Sequence, residues 1–176
     1  MVGDAAAGDF TKGVGMQARF EKVHERGYGV TVEGPDIDAA TMNPAPGYHD
    51  RLPHDAAHFI VENELGIEGG VFGQLAAGGT ANTFHLQGSK KPRKVRRRGA
   101  AMMKANKEDA LFSEQAVWAA QSRWEKLDII PDTNIPRPDL DRIIASFEAF
   151  AAKWSELPPG SSITLEWKHK TRKRSR

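Results

Sequence analysis

The chain has 176 residues, 25 Lys or Arg against 23 Asp or Glu, and no cysteine. That length suits one domain whose core needs no covalent staples, and the missing thiols exclude disulfides, cysteine catalysis and cysteine-ligated zinc while fitting a reducing compartment. No basic start followed by an apolar run opens the chain and no window reaches the length of a membrane span, so a cytoplasmic protein without membrane contact is expected.

In chain order, residues 1–15, rich in Gly and Ala, read as a flexible leader ahead of a single domain over 16–167. Gln17 to Val23 and Tyr28 to Glu33 read as strands, the second alternating Tyr28, Val30 and Val32 with smaller or polar residues. The short link from His24 to Gly27 predicts an antiparallel hairpin. Residues 34–51 hold three prolines and two glycines and read as a loop. The stretch LPHDAAHFIVENELG, residues 52–66, follows and organises the chain. Pro53 suits a first helical turn and Gly66 the left-handed position past the end. Between them Ala56, Ala57, Ile60, Val61 and Leu65 share one face. Asp55 and Asn63 lie away from it, and His54, His58 and Glu62 follow one border.

Residues 73–80, GQLAAGGT, have the glycine spacing of a phosphate-binding P-loop, but Gly79 stands where the lysine belongs and no buried strand precedes them. A backbone bend, or a short helix over 71–77 packed closely on a neighbour, is expected instead. Residues 88–107 then carry nine Lys or Arg and no acid, and residues 168–176 carry six and no acid, so ten cations stand against 23 acids in the rest of the chain. The first basic run is expected to be a loop, helical from about Ala100, and the second a basic tail. Residues 108–127 place Ala110, Val117, Ala120, Trp124 and Leu127 on a helical stripe. A second stripe runs through Leu140, Ile143, Ile144, Phe147, Phe150, Ala151 and Trp154 to Pro158, Pro159 and Gly160. Tryptophans so placed belong to a core. Alternation of Ile163, Leu165 and Trp167 predicts a strand that joins the N-terminal hairpin. The expected fold is α+β, a small antiparallel sheet of three strands packed against three or more helices. The opposite sheet face is expected to be solvated, and an apolar residue on it would mark a homodimer surface.

Two chemistries follow. The basic run favours a binding protein whose Lys90, Lys91, Arg93, Lys94, Arg96, Arg97 and Arg98, supplemented by Lys170, Arg172, Lys173 and Arg174, contact a polyanion such as nucleic acid through counterion release. No aromatic residue is interleaved among them, which argues against base stacking. The second chemistry is a metal-dependent hydrolase. His54 and His58 stand at the i, i+4 spacing that lets two imidazoles reach one divalent ion such as zinc. The string H-D-A-A-H is similar to the H-E-x-x-H motif of metalloproteases, with Asp55 in the place of the general base and one methylene shorter. Glu62 lies roughly 12 Å along the axis from His54, too far to share the ion. The third ligand would then come from His49, Asp50 or His85. Without metal, His58 and Glu62 form an i, i+4 pair. A third reading is a protein–protein interaction module without catalysis, its basic segments meeting an acidic protein.

The run RLPHDAAHFIVENELGIEGGVFGQLAAGG resembles a family of small uncharacterised actinobacterial proteins that share an L-P-H-D-x-x-H-F-x-V-E segment followed by a glycine-containing turn. The resemblance covers about the first half of the chain. It implies a bacterial, cytoplasmic setting and no particular chemistry.

Overall fold

Alternation of inward apolar and outward polar side chains builds the sheet. In the computed structural model, which describes residues 15–81 and 83–169, β1 (Gln17–His24) buries Ala18 and Phe20 and β2 (Gly27–Glu33) buries Tyr28, Val30 and Val32. The two pair antiparallel as the predicted hairpin, Phe20 opposite Val30. The C-terminal strand β5 (Ser162–Glu166) pairs antiparallel with β1, Phe20 opposite Ile163, as its alternation required. The expected leader, and the tail cations Lys170, Arg172, Lys173 and Arg174, lie outside the described residues apart from Gly15.

The sheet has five strands rather than three, with β3 (Ala40–Ala45) and β4 (His85–Leu86) added, in the order β4-β3-β2-β1-β5. Strand β3 lies inside the segment expected to be a loop. Ala40 and Met42 turn inward there and Thr41 outward, a period of two too short to stand out among prolines. Pro44 is tolerated because β4 (His85–Leu86) pairs only with Ala40 and Thr41, leaving the rest of β3 an edge where a missing N–H costs nothing. The open face carries Gln17, Arg19, Glu21, Thr31, Thr41 and Thr164, and at the hairpin end of β1 Val23 is an apolar side chain 38% exposed.

Helices cover the other face. Phe20 meets Phe59 of α1 (His54–Leu65), Phe72 of α2 (Val71–Ala76) and Phe150 of α5 (Arg137–Glu156), with ring centroids 6.1, 6.4 and 5.7 Å apart. Such a cluster contributes area burial and favourable edge-to-face contacts together. Helix α1 closes on Gly66, left-handed at φ 66°, as expected. It is buried nearly all round, from Ala56 to Asn63, which corrects the one-sided stripe: α2, α4 (Lys107–Trp124) and α5 each pack on it. On α4 the expected Val117, Ala120 and Trp124 are buried, whereas Leu127 is 47% exposed beyond the helix end.

The basic run is not a loop. Helix α3 spans Pro92–Ala105, with Pro92 in the first turn where its missing N–H is harmless, followed by strong helix formers. It lies against the glycine turn after α2. A Cβ on Gly99 would come within 2.3 Å of the Thr80 carbonyl oxygen, and the Gly99 Cα is 3.2 Å from where a Cβ of Gly79 would stand. These glycines therefore serve close approach of helix and turn, the packing predicted for GQLAAGGT.

Candidate metal centre

Helical spacing puts His54 and His58 one turn apart on α1, and their rings stand edge to face with centroids 4.6 Å apart. The start of α1 is fixed by the preceding turn, in which the His54 amide donates to the Gly47 carbonyl at 3.1 Å. His54 is exposed and His58 only 4% exposed. The third member comes from α4. Oε2 of Glu114 lies 3.5 Å from Nε2 of His58, and one ligand atom from each of His54, His58 and Glu114 falls within 4.8 Å of the other two. Among the described residues this is the group with metal-ligand chemistry.

Behind His58 the site is buried and polar. Nδ1 of His58 faces the Ser113 hydroxyl at 3.4 Å and Oε1 of Glu62 at 3.6 Å, and Ser113 donates to that same carboxylate oxygen at 2.8 Å. Glu62, with no exposed surface, also accepts the backbone N–H groups of Val71 at 3.0 Å, Phe72 at 2.8 Å and Gly73 at 3.2 Å. It thus caps α2, whose N-cap is Gly70 with no side chain to offer. A carboxylate so held favours the tautomer with the proton on Nδ1 and the lone pair of Nε2 toward Glu114.

Two opposite electrostatic settings result. Partial loss of water around the ring, half covered though it is exposed as a residue, pushes His54 below the ordinary imidazole value of 6.5, and the neighbouring His58 charge adds to that, with Asp55 and Glu114 offsetting part. Burial also acts downward on His58, but the hydrogen bond and charge of Glu62, helped by Glu114 and Asp55, outweigh it and raise the group. In chelator-treated protein, imidazole NMR signals are therefore expected to titrate above 6.5 for His58 and below 6.5 for His54. The sign for stability follows by linkage. His58's contribution is complete below 6.5 and is lost as pH rises through its raised folded value, while that of His54 is present above 6.5 and is lost as pH falls through its lowered one. A His58 titrating at or below its ordinary value would show that Glu62 and Glu114 do not reach it.

The other candidates do not join this group. Asp55 is engaged elsewhere: the Tyr28 hydroxyl bonds its carboxylate and also lies 2.6 Å from the Pro46 carbonyl oxygen. A phenol has one proton for these two acceptors. Burial raises the Asp55 carboxyl above its ordinary value, with the Tyr28 hydrogen bond offsetting part of that. Such a group is poorly placed to be the general base of the H-D-A-A-H reading. His49 is occupied by its own turn, its Nδ1 accepting the amides of Arg51 at 3.2 Å and Leu52 at 3.1 Å. Asp50 lies by Tyr48, whose hydroxyl is raised by burial first and by the Asp50 charge second. His85 is exposed on β4 opposite Thr41.

Sequence reasoning missed Glu114 and Ser113, since nothing local in α4 tells which of its residues meets α1 some 50 positions earlier. A signal for Glu62 did exist, a carboxylate bordering an apolar helix a few residues before a helix that begins at glycine. The described cations of the basic run, Lys90 to Arg98, line α3 and the turn before it, none of them in the histidine group. No helix among the described residues is long and apolar enough to cross a membrane. No family model, no curated protein and no solved structure matches the chain.

Proposed function

We propose that the protein is a cytoplasmic metal-dependent hydrolase that holds a divalent ion such as zinc on His54, His58 and Glu114. The observation that carries this reading is the convergence of three donor atoms within 4.8 Å of one another. Zinc takes histidine nitrogen and carboxylate oxygen at about 2 Å, so neighbouring donors on a tetrahedral ion stand roughly 3.3 Å apart. The 3.5 Å between His58 Nε2 and Glu114 Oε2 fits that edge. His54, His58 and Glu114 would hold the ion through two nitrogens and one carboxylate, and a zinc so bound would supply an activated water as the nucleophile for hydrolysis.

The protein's own residues prepare the ligands. Glu62 and Ser113 orient His58 from behind, the kind of outer partner whose loss commonly weakens a metal roughly 10–100-fold. The lowered His54 favours the neutral imidazole that a metal needs, while the raised His58 must release a proton, so uptake weakens as pH falls.

Calorimetric titration of chelator-stripped protein with zinc at pH 7.5 is expected to give one equivalent per chain. Glu114→Ala, a change at an exposed carboxylate that leaves the core intact, and His54→Ala are each expected to weaken binding by at least tenfold and to abolish zinc-dependent hydrolysis of p-nitrophenyl acetate. A wild type that takes up no zinc, or variants that bind it as tightly, would sink the reading.

A further inference from the structure

Among the described residues the cations from Lys90 to Arg98 enter none of the salt bridges of the fold, whereas Arg51, Arg137, Arg142 and Lys168 each reach a carboxylate. Helix α3 itself contains no acid. Like charges three or four positions apart on a helix repel, and Lys91 with Lys94, Lys94 with Arg98, and Arg93 with Arg97 all stand so. The helix therefore carries a charge larger than that of the acids placed beside it, Asp36 and Asp38, which share a hollow with Arg98.

The helical period divides that charge. Lys91, Lys94 and Arg98 follow one side of α3, and Arg93 and Arg97 another. Only the first group borders a cleft of about 360 Å³, walled by Lys90, Lys91, Lys94 and Arg98 with Val95 and Asp38. Asp38 is partly committed already, since its Oδ2 accepts the Ser89 hydroxyl at 2.7 Å. The Arg98 guanidinium leans on the Gly78 carbonyl at 3.4 Å, at the turn where glycines bring α3 close. Four cations facing one carboxylate across a concave surface make an anion site of a size that holds small phosphorylated ligands.

We propose that this cleft binds a ligand bearing at least two adjacent phosphate groups. A single phosphate carries at most about two negative charges, fewer than the excess of cations here, whereas a di- or triphosphate matches it. No aromatic side chain lines the cleft, so recognition falls on the phosphates and not on a base. The same chemistry occurs in a free polyphosphate and in a nucleic-acid strand. The site stands apart from the histidine cluster and does not depend on a metal there.

The test uses the full chain, kept in chelator so that the zinc centre plays no part, titrated with sodium triphosphate at low salt. Two double variants remove the same charge: Lys94→Gln with Arg98→Gln in the cleft, and Arg93→Gln with Arg97→Gln outside it. The cleft pair is expected to weaken binding at least tenfold and the outer pair less than threefold, with circular dichroism unchanged in both. Should the cleft pair disturb the helix, Lys90→Gln with Lys91→Gln, ahead of α3, gives the same reading. Displacement of triphosphate by a single-stranded 12-mer oligonucleotide would identify a strand as the source, and failure to displace it a free polyphosphate. Absence of triphosphate binding by the wild type, or equal losses in cleft and outer variants, would overturn the proposal.

Discussion

Replacing Glu62 by alanine is expected to lower the unfolding free energy by about 3–5 kcal/mol, the range for breaking a buried charged network by removing one partner. The carboxylate has no exposed surface and accepts three backbone amides and the Ser113 hydroxyl. Alanine would leave the amides of Val71, Phe72 and Gly73 without their acceptor in a space closed to water. Glutamine preserves the volume but offers one oxygen where two were used, and its NH₂ group would face donors. It is expected to cost about 2–3 kcal/mol, the upper part of the range for a buried group left unsatisfied. Urea unfolding of the two variants, in chelator, measures both values. A loss below about 1 kcal/mol for alanine, the scale of one ordinary hydrogen bond, would mean that α2 is capped in some other way.

Trp154→Ala is expected to destabilise by about 3–5 kcal/mol, the usual cost of emptying a large core site. The indole is fully buried, stacked on Phe150 with centroids 5.7 Å apart and edge to face with Tyr28 at 6.2 Å. Its Nε1 donates to the His49 carbonyl at 3.2 Å, fixing the loop that leads to His54. The ring also lies 5.1 Å from Nζ of Lys22, a lysine only 6% exposed whose ammonium donates to the Trp154 carbonyl at 2.8 Å. Removing the ring strips that buried cation of its π face and leaves only the carbonyl. Trp154→Phe keeps an aromatic surface and loses the bond to His49, so about 1–2 kcal/mol is expected. Alanine and phenylalanine variants of equal stability would show that packing at this position is not what the ring supplies.

Much of the fold was legible because its signals are local. Alternation in Gln17–His24 and Gly27–Glu33, the helical period after Leu140 and the glycine at 66 each depend on neighbours in sequence, and the structure follows them. Where the signal is tertiary, reading failed. Strand β3 exists because β2 offers a free edge, and its proline-rich composition speaks locally for a loop. Helix α3 begins at Pro92, earlier than its charge density suggested, where the Gly78–Thr80 turn gives it something to pack against. The pair His54 and His58 could be read from spacing, but Glu114 could not, because the partner of an imidazole depends on which helix lies beside it. The opposite holds for Asp55, whose motif position suggested a base and whose surroundings bind it to Tyr28.

The pairing of β1 with β5 sets Gln17 against Glu166, so two neighbours in the sheet are separated by nearly the whole described chain. Asn63 fastens the incoming strand by donating to the Glu166 carbonyl and accepting the Lys168 amide, both at 2.9 Å, and Trp167 packs on Phe59 with centroids 5.7 Å apart. A ribosome making this protein must therefore release residues 162–168 before the sheet acquires its fifth strand or α1 its final cover. Until then the β1 edge stays unpaired and open to other nascent chains. Loop closure over so long a separation is slow, so the interval before β5 docks is the one in which the unpaired β1 edge is open to association with other chains.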